Sequence, residues 1–384
     1  MHMLGNLKKI GIQSIGEVLG ILVFMRTWPC YLWSVESILR PICTILILII
    51  CLSNISKEKW TNWIFASLAC AYIWATVFVD HSNIVTVFNY LAFAFIPIIK
   101  RDLIFETYRS FRRIFIFFVA LSIINYIMVL IGLDYWGIVI EPLNKLKDYK
   151  YMMYPFLVVP IQESIGRFSS IYDEPGFIGT LSALMLIAER MNLQRRSNIV
   201  LLVAGIIALS FYFYVAMIFG FIFFSSKLKH KWFYIGLLFV LVVATYNNEY
   251  LYDTIWSRFE YDTEEGKFAG DNRNGGGLDY AYEAILGTPL FFTGLGSAIA
   301  EEYYGAASLK LVVLKHGFIF VFLNLLGYFI LSFRQILNKK DLIIFFVFFL
   351  LTLYQRPGFY GTYSVFMYVM LIYKFGETKY EEYT

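Results

Sequence analysis

Charge is scarce in this sequence: Asp, Glu, Lys and Arg make up 16% of its 384 residues, where a soluble domain carries about a quarter. A chain with so few charged side chains cannot cover a water-facing surface of that size. Histidine and cysteine are equally sparse, at four residues each. Cys30, Cys43, Cys51 and Cys70 sit in or beside the first apolar segments at no metal-ligand spacing, which reads as free thiols in an apolar setting. No His, Cys and carboxylate cluster has the spacing of a metal site, so no metal and no cofactor is expected. No Ser-His-Asp arrangement is legible, and no nucleic-acid partner is expected. Internal repeats, low-complexity linkers and soluble-domain boundaries are missing too. Residues 1–384 therefore read as a single transmembrane domain.

What is abundant is apolar mass. Hydrophobic residues reach 59% and aromatics 20%, with a mean hydropathy of +0.64. The excess falls in blocks: Ile42–Leu52, Ile64–Val79, Ile84–Ile99, Ile114–Ile131 and Leu309–Leu331 are apolar all round. In lipid only a helix or a closed barrel satisfies its own backbone. The blocks lack strand alternation, and many approach the ~20 residues that a spanning helix needs. The expected fold is all-α, a polytopic integral membrane helix bundle of about 12 transmembrane helices. Those helices are placed near 11–32, 37–54, 60–79, 84–99, 114–133, 174–188, 198–210, 211–226, 232–247, 309–333, 341–354 and 360–374. Lys8 and Lys9 ahead of an apolar stretch resemble a secretory signal, but Arg26, Trp28 and Pro29 follow where a cleavage site would lie. An uncleaved signal anchor is the expectation.

Basic clusters orient the chain. Lys57 and Lys59, the group from Lys100 to Arg113, the group from Arg190 to Arg196, Lys227 to Lys231, and Arg334 to Lys340 are all read as inside, with both termini cytoplasmic. One stretch tests this map. Ser197 to Ser226 is a nearly unbroken apolar run with basic clusters on both sides. A single helix would put one cluster outside, so two short helices turning near Ser210 are expected, each about 20 Å long. Segments near 134–173 and 248–308 then lie outside. The second carries eleven acidic residues against Arg258, Lys267 and Arg273. The turns at Asp80–Asn83 and around Arg356–Gly361 read as simple turns.

Candidate chemistry lies mainly in the two outer segments. In Gly166-Arg167-Phe168-Ser169-Ser170-Ile171-Tyr172-Asp173-Glu174-Pro175-Gly176-Phe177, Asp173 suits a helix N-cap and Pro175 a first turn. Arg167, disfavoured on this side by the positive-inside bias, reads as an anion binder. Arg258 and Arg273 either grip phosphate oxygens with their forks or pair with neighbouring acids. Gly275–Gly277 and Gly294-Leu295-Gly296 are weak as nucleotide motifs, because no strand precedes them and no Gly-Lys-Ser/Thr follows. His316 is either a bundle hydrogen bond or a proton carrier. Outward arginines in loops over a helix bundle suit an anionic, lipid-linked substrate.

At this point the chain resembles the O-antigen polymerase and ligase superfamily. The likeness rests on the short hairpin, the large late loop and the run Gly287-Thr288-Pro289-Leu290-Phe291-Phe292-Thr293-Gly294-Leu295-Gly296-Ser297. Asp271-Asn272-Arg273, then Tyr280 and Ala284, match the arginine-bearing part, and His316-Gly317-Phe318-Ile319 takes the place of a Glu-x-Gly-aliphatic pattern. Arg167 through Gly176 resembles a segment of repeat-unit polymerases. The resemblance implies a glycosyltransferase at the outer face of a bacterial inner membrane, joining undecaprenyl-diphosphate-linked repeat units into O-antigen or a related surface polysaccharide. It implies Arg167, Arg258 and Arg273 on the diphosphates, with Glu174 or His316 as the base. It also admits a chain-length regulator protein as a partner, beside membrane lipid. A ligase of the same superfamily is the alternative, but Ala306-Ala307-Ser308-Leu309 stands where ligases show His-Asn-x-Tyr-Leu. A lipid-linked oligosaccharide flippase or other transporter is the rival outside the enzymes, and would more naturally show two related halves.

Overall fold

A computed structural model describes residues 2–82, 84–133, 136–142, 149–161, 167–224, 236, 243, 246–247, 249, 252, 256–257, 260–262, 267–268, 277–297, 308–358 and 361–377. Those residues are mostly helical. The helices are α1 (His2–Met25), α2 (Glu36–Ser53), α3 (Thr61–Ile73), α4 (Ile84–Phe95), α5 (Arg101–Leu130), α6 (Pro175–Ala188), α7 (Arg196–Ile207) and α8 (Phe211–Phe224). After them come α9 (Leu278–Ile285), α10 (Leu290–Thr293), α11 (Leu309–Gln335), α12 (Lys339–Gln355) and α13 (Thr362–Phe375). Four stretches are long and apolar enough to cross a membrane: Cys30–Ser53, Thr61–Val79, Arg101–Leu130 and Leu309–Gln335. Shorter apolar helices accompany them. The helix expected near 232–247 falls mostly outside the described residues.

The faces of α2 show why such helices need an apolar solvent. Ile38, Ile42, Ile45, Ile49 and Leu52 recur at helical spacing, and each is 47–63% exposed. Cys43, Thr44, Ile47 and Cys51 on the other face are buried. The apolar stripe points outward and a threonine points inward, the reverse of a helix on a water-soluble core.

Several boundaries differ from the sequence-based expectation. The helix expected to start at 114 begins at Arg101, so Arg109, Arg112 and Arg113 are helical and not in a loop. No Gly or Pro interrupts Arg101–Leu130, and Glu106 pairs with Arg109 one turn on, at 2.7 Å. The first helix stops at Met25, short of 32, because Pro29 lacks an amide hydrogen and restricts the residue before it. Trp28 there is left-handed, with φ 55°, and a 3-10 turn, Cys30–Val35, follows. The segment expected as an outer loop near 134–173 holds an antiparallel sheet of β1 (Ile138–Ile140), β2 (Tyr151–Tyr154) and β3 (Leu157–Pro160), in the order β1-β2-β3.

Packing divides the chain into two compact units. One comprises Met1–Phe118, Gly277–Tyr304 and Ser308–Thr384; the other comprises Val119–Gly276 and Gly305–Ala307. In the first, α1 and α5 approach closely at glycines. A Cβ on Gly20 would lie 2.6 Å from that of Ser110, and the Ser110 hydroxyl donates to the Glu17 carbonyl at 3.1 Å. Helix α11 lies against α3, where Ser67 Oγ donates to the Leu323 carbonyl at 2.7 Å.

This unit has two chemically different ends. At one, Ser56 N donates to Ile98 O at 2.8 Å and Lys100 N to Asn54 O at 2.9 Å. The Arg101 guanidinium lies over Tyr373 and the Lys374 ammonium over Phe105. The basic residues that flank α5 and α13 therefore gather at this end. The opposite end receives the C-terminus of α1, the N-termini of α2 and α13, and the turn after α3.

In the second unit the chain turns back between α7 and α8 at Ala208–Ser210, with Leu209 left-handed at φ 47°. Helices α7 and α8 have 12 and 14 residues, about 18 and 21 Å at 1.5 Å per residue. Near its far end α8 meets Met191, just ahead of α7: a Cβ on Gly220 would lie 3.2 Å from the Met191 sulfur. This is the short hairpin that the basic flanks required. Its turn seats on α6, where a Cβ on Gly179 would come within 2.2 Å of that of Ser210. Gly179→Ala should therefore cost about 1–3 kcal/mol through overpacking. Thermal unfolding of the detergent-solubilised protein measures this, and a Tm equal to the wild type would remove the close seat.

Candidate functional site

The most elaborate constellation lies in the first unit, where α11 is broken. Gly317 has φ 79° and ψ 163° inside the helix, a region essentially confined to glycine. A break there frees helix carbonyls, and in an apolar setting each needs a new donor. Leu295 N donates to Leu314 O at 2.7 Å and Gly296 N to Lys315 O at 2.9 Å. The Gly-Leu-Gly run thus completes the broken helix. Close approach explains both glycines of the contact: a Cβ on Gly317 would lie 2.1 Å from the Phe292 carbonyl oxygen, and one on Gly294 would lie 2.6 Å from Gly317 N. The ion pair of Lys310 with Asp279, at 2.5 Å, ties α9 to the first turn of α11.

The end of that run is held by a carboxylate from the turn that follows α3. Asp80 Oδ1 accepts from Ser297 N at 2.6 Å, and Oδ2 accepts from Ser297 Oγ at 2.6 Å. Asp80 is presented by a π-helical turn, Trp74–Val79, that ends α3; such turns recur at functional sites. The next residue, His81, is left-handed, with φ 46°. His316 Nδ1 lies 3.8 Å from Asp80 Oδ2, too far for a hydrogen bond but close for a charge. The histidine side chain is 3% exposed and that of Asp80 11%. Lys315 is in electrostatic reach of the same carboxylate.

An aromatic chain connects this constellation to two arginines. His316 lies 4.9 Å from Phe320, Phe320 6.1 Å from Tyr72, and Tyr72 6.2 Å from Tyr90, ring to ring. Tyr90 is in electrostatic reach of Asp80, Arg40 and Arg26. Asp80 and Arg26, from the turns after α3 and α1, lie at the end of the unit opposite the basic clusters.

The residues singled out from sequence are distributed differently. His316 is at the centre of the constellation. Asp80, expected as part of a simple turn, is its anchor, and the Gly294-Leu295-Gly296 run pairs with a helix and not with a nucleotide. Arg167 and Glu174 belong to the second unit. Arg167 Nη2 donates to the Leu209 carbonyl at 3.2 Å, bracing the hairpin turn, and its charge reaches Tyr214. Phe168 N donates to Ile207 O at 3.2 Å beside it. The N-cap of α6 is Glu174, one residue after the expected Asp173; it is exposed, and its side chain makes no capping bond. The Tyr151 hydroxyl donates to the Asp173 carbonyl at 3.2 Å. Burial first, then the bond with Tyr149 and the carboxylates of Asp173 and Glu174, raises the pKa of that hydroxyl. Arg258 and Arg273 lie outside the described residues. No group of three or more His, Cys, Asp or Glu that could hold a metal occurs among the described residues.

Sequence reasoning passed over Asp80, Arg26 and Arg40. A lone acid between two apolar blocks was the available signal for Asp80. An arginine two residues before Trp-Pro, at the end of an apolar helix, was the signal for Arg26.

No protein-family model, curated protein or solved structure matches the chain.

Proposed function

We propose that the protein is a membrane glycosyltransferase that polymerises lipid-linked oligosaccharide repeat units. The observation that carries this reading is the pair of half-buried Asp80 and buried His316, the latter on a broken helix at the end of the bundle where Arg26, Arg40 and Lys315 also gather. An acid–base pair beside cations suits transfer from a diphosphate-bearing donor. Apolar outer faces, as on α2, suit a substrate whose tail stays in the bilayer. The resemblance in Gly287–Ser297 adds the substrate class, undecaprenyl-diphosphate-linked glycan in a bacterial inner membrane.

In this mechanism a hydroxyl of the incoming repeat unit attacks the anomeric carbon of the growing chain. The carbon–oxygen bond to the diphosphate breaks, and undecaprenyl diphosphate leaves with the bonding pair. The hydroxyl proton passes to His316, and Asp80 stabilises the imidazolium that forms. Placed at the exposed start of α6, Glu174 is the weaker choice for that base. The resemblance implies Arg167, Arg258 and Arg273 as the groups that counter the charge developing on the diphosphate.

The test is the surface glycan of a deletion strain, displayed as a length ladder with and without the gene restored. Collapse to core plus one repeat unit is the expected result, and restoration with Arg273→Ala should leave the ladder collapsed at a normal protein level. An unchanged ladder in the deletion strain would remove the polymerase reading.

A further inference from the structure

Arg26 is 8% exposed, and it is buried among neutral acceptors. Its Nε donates to Thr362 Oγ1, and its Nη1 to Thr44 Oγ1 and to the Arg40 carbonyl, each at 3.2 Å. Among the described residues no carboxylate pairs with it. Its strongest charged neighbour is another cation, Arg40, and a guanidinium stays protonated at neutral pH. Arg40 sits nearer the surface, paired with Glu36. Both guanidinium groups lie over one indole, Arg26 at 5.6 Å and Arg40 at 5.7 Å from the Trp28 ring.

Two costs stand out. An unpaired buried cation carries a desolvation penalty of several kcal/mol, and a second cation beside it adds repulsion. The platform is strained as well: Trp28 is left-handed, and its carbonyl is held by Trp33 Nε1 at 2.9 Å. A purely structural position would be better served by an uncharged side chain of similar volume. An anion with oxygens spaced for two forks removes both costs at once.

We propose that Arg26 and Arg40, on the Trp28 platform, form a binding site for a phosphate or diphosphate group. The site deepens the proposed function, because a lipid-linked diphosphate is such a group, yet it stands on its own geometry. Arg40 meets the anion first, and Arg26 takes it from below in a cradle floored by Thr44 and Thr362. Thr44 Oγ1 is itself fixed by Asn89 Oδ1 at 2.6 Å, which keeps the floor rigid.

The test is binding to the purified protein in neutral detergent, read as a shift in Tm and as bound mass by native mass spectrometry. The probes are farnesyl diphosphate, farnesyl phosphate, farnesol and inorganic pyrophosphate. Wild type should bind farnesyl diphosphate and not farnesol, with binding at least tenfold weaker in Arg26→Gln. Arg26→Lys keeps the charge without the fork, serves if the Gln variant does not fold, and should also weaken binding about tenfold. Pyrophosphate that binds as tightly as the prenyl form identifies a free anion as the ligand; a need for the prenyl chain identifies a lipid head group. Equal binding by wild type and both variants, equal binding of farnesol, or no binding of either phosphate overturns the site. A normal glycan ladder in the deletion strain would sink the polymerase reading and leave this result untouched.

Discussion

Gly317→Ala is expected to abolish stable folding of the first unit. The backbone at this position, φ 79° and ψ 163°, costs a non-glycine residue about 1–3 kcal/mol. The new methyl carbon would also stand 2.1 Å from the Phe292 carbonyl oxygen and 2.6 Å from the Thr293 carbonyl carbon. Both are backbone atoms, so no side chain can swing aside. Relief requires the Gly-Leu-Gly run to move away, which strips Leu314 O and Lys315 O of their donors. The combined loss should exceed about 3 kcal/mol. Gly11→Ala in α1 is the control, since nothing lies within 4 Å of a Cβ there. Heating the two proteins in detergent and following the monodisperse fraction decides the matter. A Gly317→Ala protein that melts with the wild type would show that the helix can close without this break.

Asp80→Asn should lower the rate of glycan elongation by up to about 10²- to 10⁴-fold, the usual contribution of the acid–base group that it supports. The amide keeps the shape of the carboxylate, but one of its two terminal atoms becomes a donor. It can therefore accept from Ser297 N or from Ser297 Oγ, and not from both. The negative charge 3.8 Å from His316 Nδ1 disappears as well, so the imidazolium loses its stabilising partner. Ladder length and the rate of repeat-unit incorporation in membranes are the readouts, with Asp102→Asn at the opposite end of the unit as the control. Wild-type elongation by Asp80→Asn, at a normal protein level, would confine Asp80 to a structural role and leave the proposed mechanism without its carboxylate.

Much of the helical framework is legible in the sequence because apolar blocks have no other solution in lipid. The hairpin is the clearest case. Basic residues on both sides of Ser197 to Ser226 demanded an even number of crossings, and the chain does turn at Ala208–Ser210. Where charge enters a helix the pattern misleads: Arg109, Arg112 and Arg113 look like a loop, yet Glu106 pairs with Arg109 and no Gly or Pro interrupts α5 through them. The small sheet of β1, β2 and β3 is hidden for another reason. Its strands are three or four residues long, too short to establish an alternation.

The candidate site was legible only in its parts. His316 drew notice because a titratable residue in an apolar block is costly. Its carboxylate neighbour did not, since Asp80 and Ser297 are 217 positions apart and only the fold brings them together. The Gly-Leu-Gly run was visible as glycines without an assignable purpose, because pairing with the carbonyls of a kinked helix leaves no local pattern. Arg26 fell inside the helix expected near 11–32, and its burial depends on side chains from α2 and α13. Arg167, read as an anion binder, is seen bracing a turn, a contact that sequence spacing does not encode.

The broken helix also dictates an order of assembly during synthesis. Asp80 leaves the ribosome first, the Gly294–Ser297 run next, and Leu314 and Lys315 last. Each partner in the latch therefore exists before the group that depends on it. The carbonyls exposed at Gly317 need not wait in the bilayer, because their donors have already been made. A nascent chain halted before Leu309 would hold the donors of Leu295 and Gly296 with no carbonyls to pair.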